Sequence, residues 1–194
     1  MAPDRLPDPL EVALEFAHLL ERSGVPYLAA GSLASSLHGE PRSTNDVDFL
    51  VDLSPARVDA LLAALGDRYY VNPDAAREAA AMGGSFNLIH LATAVKVDLF
   101  VAGADPFEAE RLARRIPARV GPGEADSLFV DTAEHTILRK LEWYRRGNEV
   151  SDRQWRDVAG IVRVQRGRLD WDRLSVWARR LGVADLLERV RSEG

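Results

Sequence analysis

Asp46 and Asp48 open an otherwise apolar run, DVDFLV, and no other feature of the chain so narrows what it can fold into. Valine, phenylalanine and leucine at this density specify a strand, and strand side chains alternate between the two faces. Asp46, Asp48 and Leu50 therefore share one face, and Val47, Phe49 and Val51 the other. The two carboxylates stand ~6.6 Å apart along the strand, from the rise per residue. At an effective dielectric of 20 their repulsion is roughly 2–3 kcal/mol. Folding alone gives no reason for that arrangement, whereas a divalent cation with oxygen ligands does.

Residues 95–101, VKVDLFV, read as a second strand of the same kind, with Lys96, Asp98 and Phe100 on one face. Set beside the first, it brings three carboxylates to one spot at the sheet edge. Three hard oxygen donors with few other protein ligands suit Mg²⁺, which keeps waters and takes its remaining ligands from substrate phosphates. Such a site accommodates two ions on an in-line phosphoryl or nucleotidyl displacement. Phe86–Leu91 and Val95–Val101 read as a hairpin that sets the register of Asp98.

Upstream, Gly31-Ser32 ends the apolar run Val25–Ala30, with thirteen residues between the pair and Asp46. Alone, the pair is a strand-to-helix turn in which Ser32 caps a helix running to about His38, with Gly39 closing it. With the aspartates present it takes a second meaning. Backbone N–H groups at a helix start form an anion site, and the Ser32 hydroxyl adds a donor. Neither GxxxxGK[ST] nor GxGxxG occurs, so the turn is not a P-loop or a dinucleotide fingerprint.

Gly31-Ser32, then Asp46-Val47-Asp48, then Asp98 between apolar residues resemble the signature of the polymerase-β-like nucleotidyltransferase superfamily. The segment Arg42-Ser43-Thr44-Asn45-Asp46-Val47-Asp48 is similar to the form in small bacterial members related to abortive-infection toxins and antitoxins. The resemblance covers roughly Val25 to Val101 and the helical remainder only loosely. It implies an α/β (α+β) fold, a mixed sheet flanked by helices followed by a C-terminal helical bundle. It also implies that Asp46 and Asp48 hold Mg²⁺, two ions in all. Asp98 completes one metal site and accepts the proton of an acceptor hydroxyl, and Gly31 and Ser32 bind the β- and γ-phosphates of an NTP such as ATP.

The cations are fewer and less determined. The planar fork of Arg42 suits a phosphate, and equally a salt bridge to Glu40 or to one of the aspartates. The chain has 23 arginines but only two lysines, Lys96 and Lys140, so a retained lysine points to a site that needs a compact charge. Lys140 is similar to a position at which superfamily members present a basic residue to nucleotide phosphates; a surface lysine is the alternative. Lys96 shares a face with Asp98, where a simple ion pair accounts for it. Asp157 loosely resembles a polar position of the toxin-like relatives and is assigned no role. His90 is read as structural.

Elsewhere the pattern is helical. Helices are expected over 9–23, from Ser54-Pro55 onward with Ser54 as cap, across 72–84 and over 107–115, with a short strand at 68–71. Residues 117–130 form a Pro/Gly-interrupted extended segment ending in a strand at Ser127–Val130. The domain change falls there, giving a catalytic domain over 1–130 and a helical domain over 131–194. In the latter, Asp131-Thr-Ala-Glu134 and Ser151-Asp-Arg-Gln154 resemble capping boxes and Asp170 caps a third helix, with the tryptophans expected in the bundle core.

Composition excludes several classes. Absence of cysteine rules out disulfides, thiolate nucleophiles and cysteine-ligated zinc. No apolar run approaches a membrane span and the N-terminus carries no signal pattern, so a cytoplasmic protein is expected. Net charge is −5, yet residues 139–194 hold 14 basic against 9 acidic residues. That basic end could serve tRNA or another RNA, or simply be a solvated helical surface. The expected activity is transfer of a nucleoside monophosphate from an NTP to a hydroxyl of a small molecule, RNA or protein. The rival is a non-catalytic toxin/antitoxin-type binding module that pairs with a protein partner.

Overall fold

Alternating apolar residues make the strands and 3.6-residue apolar stripes make the helices along this chain. The computed structural model describes residues 9–123 and 126–193, so positions 124 and 125 of the extended segment read at 117–130 lie outside the described residues. In order these are α1 (Pro9–Arg22), β1 (Tyr27–Ala29), α2 (Gly31–His38), β2 (Asp46–Val51), α3 (Pro55–Leu65), a 3₁₀ turn (Gly66–Arg68) and β3 (Tyr69–Val71). Then come α4 (Pro73–Met82), β4 (Ser85–His90), β5 (Lys96–Val101), α5 (Pro106–Ala113), β6 (Ile116–Arg119) and β7 (Ser127–Val130). The chain continues as α6 (Ala133–Arg146), α7 (Asp152–Val164), α8 (Trp171–Leu181) and α9 (Ala184–Glu193). The fold is α/β. No described helix is long and apolar enough to cross a membrane.

The described residues divide into two compact units. The first runs to Ala30 and resumes from Thr44 to Val130; the second comprises Gly31–Ser43 and the chain from Asp131 onward. In the first, the strands form one mixed sheet in the order β3-β4-β5-β2-β1-β7-β6. β2 and β5 run parallel and β4–β5 is the expected hairpin. One face of the sheet packs under α1, where Phe16 meets Phe49 and Tyr69 with ring centroids 5.3 and 5.6 Å apart. On the opposite face Leu28, Ala30 and Leu50 pack with Leu112 of α5. Thus β2 is apolar along its whole α1 face, while its α5 face changes from Leu50 to Asp48 and Asp46.

In the second unit the buried stripes are Ile137, Leu138 and Leu141 of α6, Val158, Ile161 and Val162 of α7, Leu174 and Ala178 of α8, and Leu186, Leu187 and Val190 of α9. Ser151 and Asp170 cap as expected, accepting from the backbone N–H of Gln154 and Arg173. At α6 the cap is Thr132, accepting from His135, while Asp131 is buried. Ser54 stands at its N-cap position without a side-chain capping bond. The four tryptophans are not in the bundle core. Each lies at its margin under an arginine: Arg146 over Trp143, Arg189 over Trp155, Arg191 over Trp171 and Arg180 over Trp177. Tryptophan is too large and too amphipathic to be assigned to a core by spacing alone, and a guanidinium covers its face at the surface.

The end of α2 meets α7 through two glycines. A Cβ on Gly39 would lie 2.9 Å from the Ile161 backbone nitrogen and 3.1 Å from the Gly160 carbonyl carbon. Backbone atoms in a helix cannot yield as a side chain does. Gly39→Ala is therefore expected to cost about 1–3 kcal/mol, lowering Tm by several degrees in a thermal melt.

Candidate functional site

The beginning of β2 is pinned locally. The Asp46 backbone N–H donates to Thr44 Oγ1 (3.3 Å), whose hydroxyl donates to the Asp46 carbonyl (3.0 Å). Two residues on, the Ala30 N–H donates to the Asp48 carbonyl at 2.8 Å. Across the parallel β2–β5 pair the register places Asp46 beside Lys96, Asp48 beside Asp98 and Leu50 beside Phe100. Register partners point to the same face, so the three aspartates and Lys96 form two charged rungs above an apolar one. Asn87 of β4 pairs with Asp98 and extends the second rung. The expected convergence of two acidic strands is present. It lies at the leading end of two central strands and not at the edge of the sheet, because β1, β7 and β6 continue beyond β2 and β4 and β3 beyond β5.

Lys96 is paired with Asp98 there. Its ammonium lies 2.7 Å from Asp98 Oδ1 and donates to Oδ2 at 2.8 Å. The hydrogen bond to Asp98, opposed by partial desolvation and aided by the charges of Asp98, Asp46 and Asp48, holds the Lys96 amine above its ordinary pKa. Its charge is thus felt by all three carboxylates. Among the described residues no three acidic or imidazole groups are gathered tightly enough to cage an ion. The donor set is nonetheless all carboxylate oxygen, with Asp48 and Asp98 on one rung, and this suits a hard divalent cation such as Mg²⁺.

Gly31, Ser32, Arg42 and Lys140 belong to the helical unit. Gly31 is the first residue of α2 at φ +55°, a left-handed conformation that favours glycine and turns the chain out of β1. Ser32 therefore stands inside the first turn and is not the cap. Its Oγ accepts a hydrogen bond from Arg42 Nη2. Arg42 pairs with neither Glu40 nor the strand aspartates. Its Nε lies 3.1 Å from Asp157 Oδ1 and its Nη2 donates to Oδ2 at 3.1 Å. Lys140 is buried, donating to the same Oδ2 at 2.8 Å and to Gln154 Oε1 at 3.1 Å. Ser35 Oγ adds a longer contact at 3.5 Å.

Two residues singled out from the sequence as phosphate-binding, Arg42 and Lys140, thus share Asp157, to which the sequence assigned no role, and a third, Ser32, is bonded to Arg42. Asp157 offered one signal. It stands on α7 at the helical spacing that faces Val158 and Ile161 inward, and a carboxylate there needs cations. His90 is structural, its Nδ1 2.8 Å from Thr93 Oγ1.

Burial, the largest influence on Asp157, pushes its carboxyl up. The hydrogen bonds and charges of Arg42 and Lys140 together outweigh burial and hold it below the usual carboxylate value. A lowered pKa makes the cluster stabilising at all pH values above the carboxylate range. The contribution is lost as the pH falls through the folded-state value. Asp157→Ala leaves the buried Lys140 without its carboxylate and is expected to cost about 3–5 kcal/mol at pH 7. Urea denaturation should show the difference between wild type and variant shrinking as the pH falls below the ordinary carboxylate range.

No family model and no curated protein matches the chain. Solved structures do share its fold. An antigenic nucleotidyltransferase-like protein from Paracoccidioides brasiliensis aligns with a TM-score of 0.56 at 14% identity, over 95% of this chain and 92% of that one. The antibiotic-resistance factor ANT(2'')-Ia aligns in a solution structure with a TM-score of 0.55 at 17% identity, over 94% and 98%. Its complex with adenylyl-2''-tobramycin gives 0.57 at 14%, over 89% and 95%. By its strand order, its paired acidic strands and these likenesses, the chain has the nucleotidyltransferase fold.

Proposed function

We propose that this chain is a Mg²⁺-dependent nucleotidyltransferase that moves a nucleoside monophosphate from an NTP to an acceptor hydroxyl and releases pyrophosphate. The observation that carries this reading is the register of β2 on β5, which sets Asp48 beside Asp98 on adjacent central strands, with Asp46 one rung away. In this reading Asp46, Asp48 and Asp98 hold Mg²⁺. When bound, Mg²⁺ neutralises phosphate charge and orients the reacting oxygens. Asp98, on the strand next to the other two, accepts the proton of the acceptor hydroxyl. Gly31, Ser32, Arg42 and Lys140 are assigned to anion binding. The alignment with ANT(2'')-Ia, solved with an adenylylated aminoglycoside, supports nucleotidyl transfer as the reaction class. The acceptor is a hydroxyl of a small molecule, an RNA end or a protein.

A binding module on the same fold is favoured by one observation. Arg42 and Lys140 already hold an internal anion in Asp157. Thermal melts separate the two readings, since an enzyme gains stability from Mg²⁺ with at least one NTP, and a module that has lost nucleotide binding gains none.

The direct test is incubation of the protein with each α-labelled NTP, Mg²⁺ and a cell lysate, followed by identification of the labelled species. Wild type should label an acceptor and release pyrophosphate. Asp46→Asn and Asp48→Asn should each lower transfer by at least about a hundredfold. Their Tm should be unchanged or raised, because like-charge repulsion is relieved. A large loss of stability in both variants would assign these residues to the fold and remove the catalytic reading.

A further inference from the structure

We propose that the Lys96 ammonium is a built-in cation that holds Asp98 until a divalent ion takes its place, so that metal uptake and release of Lys96 are a single exchange. This rests on the metal-site reading of Asp46, Asp48 and Asp98, and goes beyond it by giving a role to a residue outside the carboxylate set. Three observations converge on it. Lys96 touches both oxygens of Asp98, at 2.7 and 2.8 Å, which are the oxygens a metal ion would need. It is also the register partner of Asp46, so on its face of the sheet it neighbours Asp46 across the strands and Asp98 along its own. Finally, the Lys96 side chain is 45% exposed, so its flexible stem can carry the ammonium into solvent without disturbing packed neighbours.

The physical consequence has a definite sign. Three carboxylates close together repel, and a single positive charge among them stabilises the metal-free protein. The same charge repels an arriving divalent ion and competes for its ligands. Lys96 therefore lowers divalent affinity while keeping Asp98 oriented, which makes it a positioning residue. A merely structural lysine would have the opposite signature, since its loss would disorder Asp98 and weaken metal binding.

Composition supplies a clean measurement. With only two lysines in the chain, ¹³C-lysine labelling gives two Cε signals, and Lys96→Met identifies the one from Lys96. On titrating full-length wild type with Mg²⁺ in the absence of nucleotide, the Lys96 signal is expected to move towards that of a free lysine. In parallel, free Mn²⁺ followed by electron paramagnetic resonance should show roughly tenfold tighter binding by Lys96→Met and Lys96→Gln than by wild type. Lys96→Arg, which keeps the charge, should stay within about twofold. Melts in EDTA verify that each variant is folded. Wild-type Mn²⁺ binding with no movement of the Lys96 signal, or with equal or weaker binding by both neutral variants, overturns the exchange and leaves the metal site standing. Absence of Mn²⁺ uptake by wild type and variants alike removes the metal reading and the exchange together.

Discussion

The parallel pairing of β2 with β5 is the constraint on which the candidate site depends. A strand pair fixes side chains at equal height, and a slip by one residue would turn every one of them to the other face. Here a slip of β2 would drive Asp46 and Asp48 under α1 and expose Phe49, and a slip of β5 would do the same to Asp98 and Leu99. Phe49, Leu99 and Val97 are fully buried, and each contributes about 1.5–3 kcal/mol by leaving water. Together they exceed the roughly 2–3 kcal/mol of repulsion between one carboxylate pair. The apolar face thus sets the register, and the acidic face is carried along with it.

This asymmetry explains which parts of the molecule could be read from the sequence. The alternation in DVDFLV and VKVDLFV exposed both strands, the faces of their aspartates and, through the β4–β5 hairpin, the register of Asp98. Ser151 and Asp170 were legible because a cap is a local contract between neighbouring residues. Position within the sheet was not. Nothing in residues 46–51 says that β1, β7 and β6 will extend the sheet on one side, because strand order is decided by long-range packing. For the same reason Asn87 escaped notice as a member of the acidic rung, although its strand was recognised. At Gly31, held at a left-handed φ, the helix starts two residues earlier than it would with Ser32 as its cap, and periodicity carries no information about φ.

Asp157 was given no role from the sequence for a different reason. Arg42 is 115 residues from it in the chain, and Lys140 is 17. Only the folded helical unit brings the two cations to one carboxylate, and arginines are so frequent in this chain that no single one stands out as a partner. The sequence instead offered Glu40 and the strand aspartates as partners of Arg42, because they are near it in number. Glu40 pairs with Arg163.

The two lysines end in opposite electrostatic regimes, and the difference follows from burial. Lys140 has a side chain only 6% exposed and faces an Asp157 carboxylate that is 9% exposed and shared with Arg42. Withdrawing that carboxylate strands a desolvated charge, so the cluster can change partners only if another anion replaces the one lost. Lys96 faces Asp98 across a contact open to water on the lysine side, where an ion pair contributes little and is easily broken. A buried cluster of this kind is suited to holding a shape, and an exposed pair to being exchanged. The chain places the durable arrangement within its helices and the exchangeable one on the strands that carry its three aspartates. Chemistry that must admit and release a charged ligand requires the second kind, and it is found where the acidic rungs are.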